Sequence, residues 1–187
     1  MEYTLIKSRR RTIALQVTDS GIVVRAPMRT ARREADAFVK RHEDWIKKQL
    51  EKRDRRKAAA DAVQKLTREE LTALYERARE LLPSRVEHYA ALLNEPYGRV
   101  TIRCQRTRWG SCSTKRNLNF NCLLLLAPPE VLDAVVVHEV CHLKEMNHSA
   151  VFYAHVLRLC PEYRRWDKWL KDNGRLLLAR LPDEKNG

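Results

Sequence analysis

The sequence predicts an α+β fold, because runs typical of short strands and runs typical of amphipathic helices occupy separate stretches of the chain. β-Branched residues are frequent in residues 3–6, 12–17 and 22–25, and Asp19-Ser20-Gly21 between the last two is a hairpin turn signal. From Arg29 to about Ala62, apolar residues return at helical spacing. We therefore expect an N-terminal β-hairpin and one long helix before the rest of the fold.

Two further helices are predicted from their end signals. Thr67 and Glu70 have the spacing of a capping box, which predicts a helix from Thr67 to about Leu93, broken or kinked at Pro83. Aromatic and apolar residues at helical spacing predict a last helix, with Tyr163 and its neighbours in the core, and Asn173-Gly174 at its end.

The stretch between these helices predicts strands and a buried helix. Residues 100–104 and 117–121 are strand candidates, joined by a loop that contains Arg108–Cys112. The second candidate alternates polar and apolar residues, as a half-buried strand does. Pro128-Pro129 then begins a helix that is apolar on nearly every side.

Length and composition bound the architecture. The 187 residues suit one domain of ordinary size with at most a small appendage. We divide the chain into residues 1–60, the hairpin and a basic helix, and residues 61–187, the region that carries the chemistry. With only 5 glycines, 7 prolines and 5 cysteines, the composition excludes a collagen, a low-complexity chain and a disulfide scaffold.

The formal net charge of +13 is concentrated near the N-terminus. Residues 1–60 hold nearly half of the Lys and Arg residues but only a third of the Asp and Glu residues. Basic side chains release counterions when they neutralise phosphates, so this third of the chain is a candidate nucleic-acid surface. The alternative is a cationic surface that affects solubility and steering alone.

Cysteine usage and the apolar runs indicate a compartment. The five cysteines include no CxxC pair, which favours free thiols in a reducing compartment. No apolar run of signal-peptide length follows Arg9–Arg11, and the longest apolar stretch, Cys122 to Ala127, is far too short for a membrane span. We expect a cytoplasmic protein that has no membrane partner.

The buried helix contains the sequence His138-Glu139-Val140-Cys141-His142. Two histidines four residues apart lie on the same side of a helix, about one turn apart, as two ligands of one metal must. Glu139 lies between them in angle and could hold and deprotonate the water that the metal activates.

His148 supplies a third candidate ligand once the helix has ended. Asn147, which tolerates a left-handed C-cap well, stands where the chain must turn back toward the metal. His138, His142 and His148 would then give three nitrogen ligands and leave a fourth position open for water, as in a catalytic Zn²⁺ site. We expect one Zn²⁺ per chain.

Five segments of the sequence carry a resemblance to a known family. They are Arg108-Trp109-Gly110-Ser111-Cys112, Asn119-Phe120-Asn121, Leu126-Ala127-Pro128-Pro129-Glu130-Val131, Val136-Val137-His138-Glu139 and Leu143-Lys144-Glu145-Met146-Asn147-His148-Ser149. With these motifs, the sequence resembles the YgjP-like metal-dependent hydrolases, a family grouped with the SprT-like and WLM zinc proteases. The likeness is densest over residues 108–153 and weaker over the N-terminal strands.

The resemblance implies a minimal zincin-like metallopeptidase fold, with a small, mainly antiparallel sheet packed on helices. By analogy with the family, residues 117–122 would form the edge strand above the metal, where an extended peptide adds as a further strand. Asn117, Asn119 and Asn121 would then face solvent or substrate, although the ordinary polarity of a half-buried strand explains their alternation equally well. The chain departs from the family at Cys122-Leu123, where Trp-Arg is usual, at Cys141, which suits a small core residue better than a fourth ligand, and at Tyr153, where Trp is frequent.

Three side chains remain candidates for the donor that stabilises the oxyanion: Arg108, Tyr153 and His155. Trp109 could shape a substrate wall or pin the loop against the metal helix. The substrate candidates are thus Arg108, Trp109, Asn119, Asn121 and Tyr153.

The residues favour a zinc metallopeptidase that cleaves a peptide or protein substrate with Glu139 as general base. Two alternatives stay open. One is a zinc hydrolase of a nucleotide or phosphoester, whose anionic substrate the basic surface would attract. The other is a protease that binds nucleic acid through the N-terminal third and acts on DNA-bound proteins, as the SprT-like relatives suggest.

Overall fold

The structure, a computed structural model, describes residues 1–182 and divides the chain into two compact units. The first is Met1–Ala62 and the second begins at Val63. Six α-helices and six short strands occur within the described residues, so the α+β class is confirmed. No helix among these residues is both long and apolar enough to cross a membrane.

The first unit is a three-stranded sheet with two helices. Its elements are β1 (Thr4–Ser8), β2 (Ala14–Thr18), β3 (Gly21–Pro27), α1 (Arg32–Arg41) and α2 (Glu43–Asp61). The predicted hairpin joins β2 and β3, and Gly21 adopts a φ of +126° that a side chain would strain. β1 pairs with β3 in parallel, which places β3 in the centre.

The single long helix expected from Arg29 to Ala62 was wrong, because the chain breaks at His42. The φ of His42 is −109°, and its Nδ1 lies 2.8 Å from the Phe38 carbonyl, so the side chain closes α1. Apolar burial then continues on α2 at Ile46, which packs with Ala35 and Val39 of α1 in the core of this unit.

The second unit contains the remaining elements: α3 (Arg68–Leu93), β4 (Val100–Arg103), β5 (Gly110–Cys112), β6 (Leu118–Asn121), α4 (Pro129–Cys141), α5 (Ala150–Leu159) and α6 (Tyr163–Ala179). The capping box of α3 is confirmed: Thr67 Oγ1 accepts from the Glu70 N–H at 3.1 Å, and Glu70 Oε2 accepts from the Thr67 N–H at 2.8 Å. α3 continues through Pro83 without the break that was one of the two predicted outcomes there, because Leu82 and Val86 are fully buried and hold that turn in the core.

The sheet of the second unit corrects two expectations about the Arg108–Asn121 stretch. Its strand order is β4-β6-β5, so β6 lies in the centre and residues 117–122 do not form the edge strand. Gly110–Cys112, expected in a loop, forms the edge strand β5. β6 pairs in parallel with β4 and antiparallel with β5, so the sheet is mixed.

α4 is the central helix of this unit, and its valines are buried on every side. α6 does not end at Asn173-Gly174 as expected but continues through Gly174 to Ala179. The reason lies across the helix. A Cβ on Gly174 would come within 3.1 Å of the Trp109 ring, so the glycine makes room for the indole instead of ending the helix.

Candidate metal centre and active site

α4 brings the two histidines of the HExxH motif together. The helix ends at Cys141, but His142 keeps helical backbone angles at the C-cap, with φ −66° and ψ −17°. The four-residue spacing therefore still brings the two rings together, edge to face, with their centroids 5.0 Å apart.

The chain then returns His148 to the same place without a left-handed residue at Asn147. Among the described residues, Asn94 and Arg116 are the non-glycine residues with positive φ, so the expected cap at Asn147 was wrong. Successive turn hydrogen bonds make the reversal: the N–H groups of Lys144 and Glu145 both donate to the Cys141 carbonyl. Ser149 then caps α5, which holds His148 just before that helix.

The three histidines form one cluster. One ligand nitrogen from each of His138, His142 and His148 lies within 4.8 Å of the others, and the Nε2 atoms of His138 and His148 are 3.1 Å apart. The buried Phe152 lies 4.5–5.1 Å from all three rings and supports them from the core side.

Hydrogen bonds at the ring nitrogens that do not face the cluster orient two of the three rings. The Nδ1–H of His142 donates to the Glu145 carbonyl at 3.0 Å, which leaves its Nε2 lone pair free. His138 Nδ1 lies 2.8 Å from the Tyr163 hydroxyl, so the other nitrogen of this ring faces the cluster. The sequence placed Tyr163 only in the core. It does lie buried, but no spacing signal links a tyrosine 25 residues away to His138.

The electrostatics suit a metal. Burial, together with the nearby His142 and His148, lowers the pKa of His138 to about 4. Burial also lowers the pKa of His142. Near neutral pH both rings are therefore uncharged, as metal ligands must be. Three imidazoles with converging nitrogens match the donor set of a transition-metal site with one open position.

Glu139 lies directly under the edge strand. It is 7% exposed, and burial raises its pKa to about 7, against the opposing effects of a hydrogen bond from the Cys112 backbone and of the Arg108 charge. A Cβ on Gly110 would lie 2.8 Å from Glu139 Oε1, so only a glycine lets β5 approach this carboxyl group.

A cavity of about 300 Å³ opens beside His138 and Glu139. Arg108 and Trp109 line it from the loop before β5. Its apolar wall comes from α4 and α6: Val131, Ala134, Val135, Trp166 and Leu170. Two of the five substrate candidates thus lie beside the histidine cluster and Glu139.

The other three candidates lie elsewhere around the site. Tyr153 on α5 is 39% exposed, and its ring is 6.2 Å from that of His148. Asn119 donates from Nδ2 to Ser111 Oγ across the β5–β6 pair. Asn121 is fully buried, and its Nδ2 donates to the carbonyls of Gln105 and Arg108, so its amide holds the loop that carries Arg108.

Comparison with known proteins gives the chain a family. The sequence model of the YgjP-like metallopeptidase domain matches residues 11–71 and 58–173. No curated protein matches significantly.

Two solved structures are similar in part. The metallopeptidase zymogen abylysin of Pyrococcus abyssi is 22% identical with a TM-score of 0.46, and the match covers 51% of this chain and 97% of abylysin. The metallopeptidase zymogen jannalysin of Methanocaldococcus jannaschii is 22% identical with a TM-score of 0.40, over 49% of this chain and 95% of jannalysin.

The family match spans both units, including the histidine cluster and Glu139, and a metallopeptidase domain requires a metal cofactor and acts on peptides or proteins. The chain belongs to the YgjP-like metallopeptidase family and is a metal-dependent hydrolase.

Proposed function

We propose that this protein is a zinc metallopeptidase whose catalytic base is Glu139. The observation that supports it best is the convergence of three imidazoles beside a buried carboxyl group, Glu139, that lines a cavity. Each part has a separate function in peptide hydrolysis: ligation, proton transfer and substrate binding.

His138, His142 and His148 would hold the Zn²⁺, which three nitrogen donors and one open position suit. When bound, zinc polarises the scissile carbonyl and lowers the pKa of its water toward about 7. The hydrogen bonds of His138 to Tyr163 and of His142 to Glu145 keep the ligand rings in place.

Glu139 would take a proton from the attacking water and pass it to the leaving amine. A carboxyl group with a pKa near 7 suits both steps, because it is partly ionised at neutral pH and its conjugate acid gives the proton up readily. Gly110 and the Cys112 backbone hold the carboxyl group in position for both transfers.

The substrate is a peptide that we place along β5 and in the adjacent cavity. β5 has β6 as its one neighbour in the sheet of the second unit, so its outer edge can accept an extended chain. The apolar wall of the cavity favours a medium or large apolar side chain next to the scissile bond. Tyr153 is then the exposed hydroxyl best placed near His148 to donate to the oxyanion.

The test is Glu139→Gln, with Glu130→Gln at an exposed position of the same helix as its matched control. We expect Glu139→Gln to retain its metal and to lose nearly all turnover of a mixed peptide library, followed by mass spectrometry. The control should keep both. Full activity in Glu139→Gln contradicts the assigned base.

A second proposal concerns the basic first unit, which we infer contacts nucleic acid. Arg9, Arg11, Arg29, Arg32 and Arg33 are all exposed on it. On a DNA or RNA affinity column, retention of the protein that weakens steeply with salt would support this contact. Flow-through at every salt concentration would contradict it.

The same metal site could instead hydrolyse a phosphoester. Turnover of nucleotides that the Glu139→Gln substitution abolishes would identify that activity.

A further inference from the structure

Two of the five cysteines lie side by side at the ends of neighbouring parallel strands. Cys104 follows β4 and Cys122 follows β6, and the residues before them, Arg103 and Asn121, are register partners. The cysteines therefore occupy the next pair of facing positions. Their Sγ atoms are 2.6 Å apart.

That distance is much closer than ordinary packing allows. Carbon atoms in non-bonded contact are optimal at roughly 3.5–4.0 Å, and sulfur is the larger atom. Both thiols are free in this structure. Cys104 is exposed whereas Cys122 is fully buried, so solvent reaches the pair from one side only.

We propose that Cys104 and Cys122 are a thiol modification site, at which a peroxide converts the pair into a reversible disulfide. The register of β4 and β6 and the contact between the two sulfur atoms support this site. It does not require the metal or the proposed peptidase activity.

The reaction balances with hydrogen peroxide as the two-electron oxidant. The Cys104 thiolate attacks one peroxide oxygen, an S–O bond forms, the O–O bond breaks, and the hydroxide released takes up a proton as water. The Cys122 sulfur then attacks Cys104 Sγ, the S–S bond forms, and the departing hydroxide takes the Cys122 proton as a second water. Burial raises the pKa of the Cys122 thiol, which leaves the exposed Cys104 as the first to react.

The bond would fix the base of the active-site loop. Residues 105–109 run from Cys104 to the cavity, and Asn121, next to Cys122, already holds this loop through the Gln105 and Arg108 carbonyls. A covalent link at the same point adds to that hold. Amide hydrogen exchange over residues 105–109 should therefore slow after oxidation.

The experiment treats the purified protein with hydrogen peroxide and maps its cysteines by mass spectrometry. We expect one Cys104–Cys122 disulfide, reversed by a dithiol reductant, and a melting temperature raised by roughly 5–10 °C because the unfolded chain is cross-linked. Cys104→Ser, at an exposed position, should lose the disulfide and the shift. Cys160→Ser, at a half-buried cysteine that is not one of the pair, should keep both.

Three outcomes would overturn the proposal. One is oxidation of Cys104 to sulfinic or sulfonic acid while Cys122 stays a free thiol. Another is a disulfide that pairs either residue with a different cysteine. The third is a Cys104–Cys122 disulfide that leaves hydrogen exchange over residues 105–109 unchanged, which would contradict the effect on the loop.

Discussion

Gly110 and Glu139 are in direct contact, and the contact leaves no room for a side chain on β5. A Cβ atom at position 110 would lie 2.6 Å from Glu139 Cγ and 2.9 Å from its Cδ. Atoms that are not bonded do not approach so closely, so either the strand or the carboxyl group would have to move. Because β5 pairs with β6 on its other side, the carboxyl group is the part that yields.

We therefore predict that Gly110→Ala keeps the metal but moves Glu139 away from the attacking water. A displacement of about 1 Å at a reacting group can lower the rate by about 10²-fold, and we expect a loss of that order in kcat. Metal content by mass spectrometry and turnover of the preferred peptide, measured together, check this. Thr114→Ala, an exposed change in the turn that follows β5, is the control and should match the wild type. Unchanged turnover in Gly110→Ala would mean that Glu139 is not held by this strand.

Tyr163→Phe removes only the hydroxyl group that contacts His138 Nδ1. We expect zinc affinity to fall by 10- to 100-fold, the usual effect of losing a contact that orients a metal ligand. Competition with a chromogenic chelator measures this without reference to activity. Tyr97→Phe, at a half-buried tyrosine outside the site, should leave the affinity unchanged.

The two variants also separate positioning from loss of fold. If Tyr163→Phe lowered the melting temperature of the metal-free protein and left zinc affinity intact, the tyrosine would act only in packing. Nitrogen NMR of the His138 ring gives an independent readout, because loss of the hydroxyl changes the tautomer equilibrium of a neutral imidazole.

Arg116 links the segment after α3 to the turn between His142 and His148. Its guanidinium donates to the Leu143 carbonyl just after His142, to the Pro96 carbonyl and, at 2.6 Å, to Glu95. Lys144 adds a second cation 3.6 Å from Glu95. Hydrogen bonding to Arg116 lowers the pKa of Glu95 in the folded protein, and its charge and that of Lys144 act in the same direction.

Glu95→Gln should therefore destabilise the metal-free protein near neutral pH by about 1 kcal/mol, the scale of a partly buried charged hydrogen bond. Because the folded pKa is lowered, this contribution is fully present above the unfolded-state pKa and is lost as the pH falls through the folded value. Urea unfolding from about pH 7 downward should show wild type and variant converging in acid. If the difference in unfolding free energy between wild type and Glu95→Gln stayed constant as the pH fell, it would contradict the ionic role of Glu95. Glu87→Gln, on an exposed side of α3, is the control.

The local signals in the sequence were sufficient for much of the fold. The capping box at Thr67 and the turn at Gly21 are properties of a few adjacent residues, and both are confirmed. The prediction that His138, His142 and His148 meet needed only the helical repeat and a chain reversal. The reversal itself was predicted with the wrong device, because main-chain hydrogen bonds to Cys141 replace the expected cap at Asn147.

Features that depend on distant partners could not be predicted. Whether β6 is an edge or a central strand depends on which strands pair with it. β5 has only three residues, too few to be recognised as a strand from the sequence. Gly174 has the sequence context of a helix end, yet its role is to leave room for the ring of Trp109, which lies 65 residues earlier in the chain. Tyr163 likewise acquires its contact with His138 only through the packing of α6 against α4.

The central claim, a three-histidine zinc centre, is tested most directly by metal content. Wild type and His142→Ala are purified identically without chelating resin and measured by mass spectrometry, with His88→Ala, an exposed histidine on α3, as control. We predict about one zinc per chain in wild type and in His88→Ala, and none in His142→Ala. A wild-type protein that holds no metal even after zinc is added back would contradict the site and, with it, the proposed zinc-dependent mechanism.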